Sequence, residues 1–368
     1  MLSSIADRVS RGVQRYLPDA FVIAVLLTLF VFIVGFFTNP TEPITLFKSF
    51  GDGFWVYLAF TMQMVLLLMT GMVLAAVPFV KRGLESLSSL ANTPNKAYVL
   101  TFVVTAIAYY INWGLAVVVG AILVREIGKR NQNAHFPLLV AAAYSPTVLY
   151  TAGLSSSIGL TVATKDHFLA DVMGVIPTSE TIFNPSTIII FAVLFITMPI
   201  FICFMAPKTN IKSYNARELP EKKTNDLEPA DTPALKLERT PLLGIITGAI
   251  GLIYVVNEFI NGRDLDLNII NILFLSLGLV LHRSLGQFGE AFKEAAGSTS
   301  PIILQFPFYA GIIAVLGSSG LGQMIIDGMT SVANKETFDV FTYWTAGLVN
   351  MLAPSGGGQW ALQGPLQV

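Results

Sequence analysis

The chain has 368 residues, 54% hydrophobic and 12% charged, with a formal net charge of −1 and one cysteine. Soluble proteins carry roughly 25% charged residues, so a soluble α/β protein is excluded, and the ~10-residue alternating strands of a transmembrane β-barrel are absent. The chain reads as an all-α, polytopic helical membrane protein. Cys203 lies in an apolar run and reads as a small core residue, with no disulfide framework. The near-zero net charge says little about partners, because the charges are confined to loops. The lipid bilayer is the expected partner, and no nucleic acid is expected.

The N-terminus is amphipathic and basic (Arg8, Arg11, Arg15) and leads into an apolar run near Ala20. No small-residue cleavage site follows, so this is an uncleaved first span. Uncharged apolar windows then fall at about 20–38, 54–80, 97–124, 136–164, 181–206, 240–257, 267–281, 298–326 and 340–368, several of them longer than the ~20 residues that cross a hydrocarbon core. Basic residues concentrate at the N-terminus and in loops 81–96, 125–135 and 207–239. Loops 39–53, 165–180, 258–266 and 327–339 carry only Lys48, Lys165, Arg263 and Lys335. The positive-inside rule places the first group in the cytoplasm.

Loops 81–96 and 125–135 are both basic, yet window 97–124 lies between them. The window therefore enters and leaves on one side, as a re-entrant hairpin of two half-depth helices turning at Ile111-Asn112-Trp113-Gly114. A single long tilted helix with an imperfect charge rule is the alternative. Segment 207–239 reads as a flexible cytoplasmic linker. It separates a first membrane repeat (1–206) from a connector helix (240–257) and a second repeat (258–368).

The second repeat echoes the first with opposite topology. Gln63 precedes Asn112 by 112 − 63 = 49 residues, and Gln305 precedes Asn350 by 350 − 305 = 45. An inverted repeat of this kind places solute at the repeat interface near the bilayer midplane. Window 136–164 contains Gly153-Leu154-Ser155-Ser156-Ser157-Ile158-Gly159, expected to unwind a crossing helix. A counterpart would fall near residue 393, so the second repeat is expected to be incomplete at the C-terminus.

The most irregular stretch is Pro354-Ser355-Gly356-Gly357-Gly358-Gln359-Trp360, inside residues 340–368, which contain no Asp, Glu, Lys or Arg. Each glycine costs about 1 kcal/mol relative to Ala in a helix interior, and irregular backbone at membrane depth persists only where protein or a water-filled cavity satisfies it. This is the pattern of a broken helix in a secondary transporter. Freed amides at half-helix N-termini attract anions, and Asn112, Ser155, Ser156, Ser157, Asn350 and Ser355 add polar groups beside Gly356, Gly357 and Gly358. Each has a purely structural reading too: serines bond the backbone or a neighbouring helix, and Asn112 and Asn350 cap hairpin halves. Gln63 and Gln305 read as interhelical hydrogen-bonding residues. His135, His167 and His282 are not spaced as a metal site. No embedded acid–base pair, dyad or metal cluster suggests an enzyme, and no cofactor is expected. Freed carbonyls suit Na⁺, and a proton route stays open. An apolar lining without arginine or lysine favours a small monocarboxylate over a dicarboxylate.

Leu17-Pro-Asp19, Gly51-Asp-Gly-Phe-Trp55, Ile111-Asn-Trp-Gly114, Gln305-Phe-Pro-Phe-Tyr-Ala-Gly311, Pro354-Ser-Gly-Gly-Gly358 and Gln363-Gly-Pro365 together resemble the bacterial short-chain fatty acid transporter family, within the ion transporter superfamily. The resemblance covers essentially the whole chain. It implies an inner-membrane permease for substrates such as butyrate or acetoacetate, and an elevator-like scaffold-and-transport fold. By superfamily analogy it also implies a homodimer. The alternatives are a cation-coupled carrier of another organic anion, such as a dicarboxylate, or a non-transporting membrane scaffold.

Overall fold

The structure, a computed structural model, describes residues 12, 15–16, 18–38, 43–207, 209–215, 232–282, 284–332 and 336–368. Arg8 and Arg11, most of the linker (with Lys208, Arg217, Lys222 and Lys223) and Lys335 lie outside the described residues. Among the described residues there are helices and no strands.

The helices begin where the sequence supplies proline or a capping side chain. Ala20–Thr38 (α1) is followed by Pro43–Gly53 (α2) and Leu58–Ala75 (α3). Pro78–Ser88 (α4) starts on a proline, whose missing N–H costs nothing in a first turn. Pro94–Ile111 (α5) is capped by Thr93, and Trp113–Arg130 (α6) ends on Lys129 and Arg130, which complement the helix dipole. Phe136–Tyr144 (α7) loosens into a 3-10 turn at Ser145–Ala152, where Pro146 cannot donate to the ladder. Short helices Gly159–Ala163 (α8) and Ala170–Met173 (α9) precede Pro185–Met205 (α10), capped by Asn184. After the linker come Pro233–Arg239 (α11), Pro241–Ile260 (α12), Leu267–His282 (α13) and Leu285–Ala296 (α14). Then follow Ser300–Ser318 (α15), Leu321–Val332 (α16), Phe338–Leu352 (α17) and Gly356–Gln367 (α18).

Among the described residues five helical runs are long and apolar enough to cross a membrane: α1, α3, α10, α12 and Leu285–Ser318, which joins α14 and α15 through a 3-10 turn. Two of them bury little against protein. Only 11% of the 18-residue apolar window of α10 and 17% of that of α12 is buried, and Ile189, Phe204 and Ile253 stand 63%, 79% and 69% exposed. Such faces are stable against lipid and not against water.

Several expectations change in detail. The arms of the hairpin at 97–124 are 18 residues each, or ~27 Å, rather than half-depth, because the helices continue through the charged ends around Lys96 and Arg125. Window 298–326 is two helices, broken at Gly320, whose φ of +73° suits glycine. The second hairpin turn, expected at Asn350 as the counterpart of Asn112, falls at Ala353–Ser355.

The chain forms two compact units, each drawing on segments from both sides of the linker. The first comprises the described residues of 66–160 and 177–297. Its core joins α5, α6, α7 and the 3-10 turn around Tyr98, Phe102, Tyr109, Leu123, Ile127, Leu139 and Leu149. In the same unit, α12 and α13 approach closely: a Cβ on Gly251 would overlap the Ser276 hydroxyl. The turn between them is fixed by Arg263, paired with Glu258 at 3.0 Å and Asp266 at 2.8 Å. These two carboxylates, Asp266 first, push the guanidinium pKa above its ordinary value.

The second unit comprises residues 9–65, 161–176 and 298–368. Its core is aromatic. Phe60 stacks on Phe306 with centroids 5.4 Å apart, Tyr57 meets Phe168 at 4.5 Å, and Phe50 fills the groove that Gly311 leaves open on α15.

Candidate solute-binding site

In the first unit the hairpin breaks at Asn112, whose backbone is extended (φ −159°, ψ 127°). Its Oδ1 accepts the Leu115 N–H at 3.0 Å, capping α6, while its Nδ2 donates to the Leu67 carbonyl of α3 at 2.9 Å. Two glycines make room for this: a Cβ on Gly71 would overlap Asn112 Oδ1, and one on Gly114 would strike the Leu68 carbonyl oxygen.

The unwound segment 153–158 completes the break. Leu154 N–H donates to the Tyr110 carbonyl at the end of α5, at 2.7 Å. Ser155 Oγ accepts the Trp113 N–H at the start of α6, at 3.0 Å. One stretch of chain thus satisfies a free carbonyl and a free amide left by the same helix break. Ser156 Oγ accepts the Gly159 N–H at 3.1 Å, and Ser157 Oγ lies 3.2 Å from Tyr150 Oη. Asn112, Ser155, Ser156 and Ser157 are all at most 2% exposed. The structure therefore brings these four residues together as a closed polar knot.

Beside the knot lies a cavity of about 340 Å³, lined by Val148, Ala152, Ser156, Ile158, Thr181 and Phe191 among others. Thr181 Oγ1 is buried without a hydrogen-bond partner. No sequence pattern marks Thr181, and the roles of Gly71 and Leu67 depend on contacts far along the chain.

In the second unit Ser355 holds the position that Asn350 was expected to hold. Its backbone (φ −152°, ψ 127°) repeats that of Asn112, and its Oγ accepts the Gly358 N–H at a long 3.4 Å, capping α18. Measured from Gln305 the spacing is 355 − 305 = 50, against 49 for Gln63 and Asn112. Asn350 is exposed and sits inside α17, where it donates to Gln359 Oε1 at 2.8 Å. Gln359 in turn donates to the Ala346 carbonyl at 2.9 Å, so these amides tie the two arms together.

Gly357 and Gly358 are buried against aromatic rings. A Cβ on Gly357 would stand 3.2 Å from Phe306, and one on Gly358 2.8 Å from Tyr309. These glycines therefore have a packing role, which the sequence did not reveal. Ser355 and Gly356 are partly exposed. Among the described residues the Gly356 and Gly357 amides have no protein acceptor, so this helix start carries open donors and positive partial charge. The Trp113 and Trp360 indole N–H groups, one near each break, are buried without partners. Among the described residues no three His, Cys, Asp or Glu side chains gather as a metal site.

Apolar helices long enough to span a membrane, a broken-helix hairpin in each unit and an unwound segment are the features of a multi-pass membrane transporter. The fold is similar to that in the crystal structure of the Alcanivorax borkumensis YdaH transporter, described as having an unusual topology. The TM-score is 0.52 at 15% identity, over 95% of this chain and 82% of that one. The short chain fatty acid transporter family matches residues 1–368. Candidate short-chain fatty acid transporters of Escherichia coli K12 and Haemophilus influenzae are 38% and 36% identical over 100% of this chain, covering 84% and 85% of their own lengths. The chain belongs to the short-chain fatty acid transporter family. It is accordingly a transporter rather than an enzyme, and a multi-pass protein of the bacterial cytoplasmic membrane.

Proposed function

We propose that the chain is a secondary carrier of short-chain monocarboxylates such as butyrate or acetoacetate, driven by a coupled H⁺ or Na⁺. The observation that carries this reading is the first turn of α18. Gly356 and Gly357 offer amides without protein acceptors, and the same turn packs on Phe60, Phe306 and Tyr309. Amides at a helix start favour a carboxylate, and an aromatic wall favours a short acyl tail over a second charge. Asn112, Ser155, Ser156 and Ser157 belong to the proposal as the polar groups of the first break, within the first unit. An anion entering against ~100 mV costs about 2.3 kcal/mol per charge, so concentrative uptake needs the coupled cation. An inverted pair of repeats belongs to the same proposal. It is supported by the matching backbone and cap at Asn112 and Ser355. A homodimer is proposed by superfamily analogy.

The test is uptake of labelled butyrate by proteoliposomes under an imposed H⁺ or Na⁺ gradient, with succinate as competitor. Gradient-dependent uptake that succinate leaves intact is expected. Absence of butyrate uptake by inserted, folded protein, or stronger competition by succinate, would sink the monocarboxylate reading.

A further inference from the structure

A second cavity, of about 700 Å³, lies in the first unit and shares no lining residue with the Asn112 break. Three apolar helices reach their ends there. Val77 and Pro78 follow the end of α3, Pro241 opens α12, and His282 closes α13. The cavity therefore stands at the level where hydrocarbon gives way to headgroups. Its wall includes Phe79, Ile245, Val280 and Leu281, and its polar side carries Arg82, Arg239 and Gln287. Among the described residues no carboxylate lines it and neither arginine forms an ion pair. Arg82 Nε makes only a long 3.4 Å bond to the Pro78 carbonyl. The other polar groups are already engaged: His282 donates through Nε2 to the Val73 carbonyl at 2.8 Å, and Ser284 Oγ accepts the Gln287 N–H at 3.2 Å.

We propose that this cavity binds an anionic phospholipid, its phosphate held by Arg82 and Arg239 and its acyl chains lying along Ile245, Val280 and Leu281. Two unpaired guanidiniums above an apolar wall match a ligand that is charged at one end and apolar at the other. Arginine forks bind phosphate oxygens in pairs. Basic pockets between membrane helices on the cytoplasmic side suit such headgroups. Arg82, in α4, and Arg239, at the end of α11, belong to the basic segments 81–96 and 207–239 that the positive-inside rule places there. A free inorganic anion would use the arginines and leave the apolar wall without a ligand.

The test is native mass spectrometry of the full 368-residue chain extracted from vesicles of equal phosphatidylglycerol and phosphatidylethanolamine. Wild type is expected to retain phosphatidylglycerol preferentially. Arg82→Gln with Arg239→Gln should lower that preference roughly tenfold or more, while Arg82→Lys with Arg239→Lys, which keeps the charge and loses the paired fork, should fall between wild type and the double Gln variant. Equal retention of both lipids by wild type, or an unchanged preference in the double Gln variant, would overturn the proposal. Displacement of the lipid by millimolar inorganic phosphate would assign the arginines to a free anion instead, and displacement by butyrate would assign them to the transported solute. If the double Gln variant fails to fold, the wild-type lipid ratio and the displacement arms decide alone.

Discussion

The carboxamide of Asn112 fills the space in which a side chain on Gly71 would stand. A glycine in α3 and a helix cap 41 residues later (112 − 71) are therefore one packing unit. Asn112→Ala removes a cap and a bond to Leu67, a loss of about 1–3 kcal/mol. Gly71→Ala should also destabilise, by collision. Combined, the two should cost at least about 1 kcal/mol less than their sum, because the collision partner has gone. Thermal unfolding in detergent measures this, and additive costs would separate the two residues.

Glycines 153 and 358 are both tight but differ in what they face. A Cβ on Gly153 meets the Tyr110 backbone carbonyl, whereas one on Gly358 meets the Tyr309 ring at 2.8 Å. A ring can swing aside and a helix-end carbonyl cannot. Gly153→Ala should thus lower the yield of folded protein far more than Gly358→Ala. Comparable yields of the two variants would contradict this ordering.

Ser155→Ala removes the acceptor of the Trp113 amide. Hydrogen bonds between membrane helices are worth about 0.6–1.7 kcal/mol, so exchange of that amide should quicken roughly 3- to 20-fold. Mass-resolved hydrogen exchange on the 111–115 peptide provides the reading. Unaltered protection there would mean that Ser155 is dispensable to the break.

The arms α5 and α6 pack on each other, and a re-entrant hairpin would return the chain to the side it left. In a Cys203→Ala background, Ser89→Cys and Asn133→Cys should both react with an impermeant maleimide from the same face of the membrane. Labelling from opposite faces would replace the hairpin by a single crossing.

Gly357→Val should abolish butyrate transport while leaving membrane insertion intact, because the larger side chain would push the α18 start off the Phe306 ring, 3.2 Å from a Cβ at this position. Unchanged uptake kinetics would count against a site at this turn.

Much of the architecture was legible because charge is scarce. A lone Asn between two basic loops marked the first break, and three glycines in an uncharged stretch marked the second. Choosing between Asn350 and Ser355 was harder, since both residue types cap helices well. Only the backbone angles identify Ser355 as the cap. The contacts that hold the first break could not be read at all. Leu67, Tyr110 and Leu154 contribute backbone atoms, which every residue has, so side-chain identity carries no signal. Thr181 was hidden for a related reason: its significance lies in the cavity beside it, formed by α10 and the 3-10 turn.

The pairing of Trp113 with Ser155 also sets an order of events during synthesis. The partners lie 42 residues apart, so at 5–20 residues per second the ribosome needs about 2 to 8 s to supply the second after the first. Throughout that interval the hairpin tip has a donor and an acceptor with no protein partner, which a hydrocarbon environment penalises. The insertion machinery must shelter α5 and α6 as a pair until residues 153–158 emerge. Membrane integration of this hairpin is therefore a delayed, concerted event rather than helix by helix, and chains arrested before Ser155 should remain extractable from the bilayer.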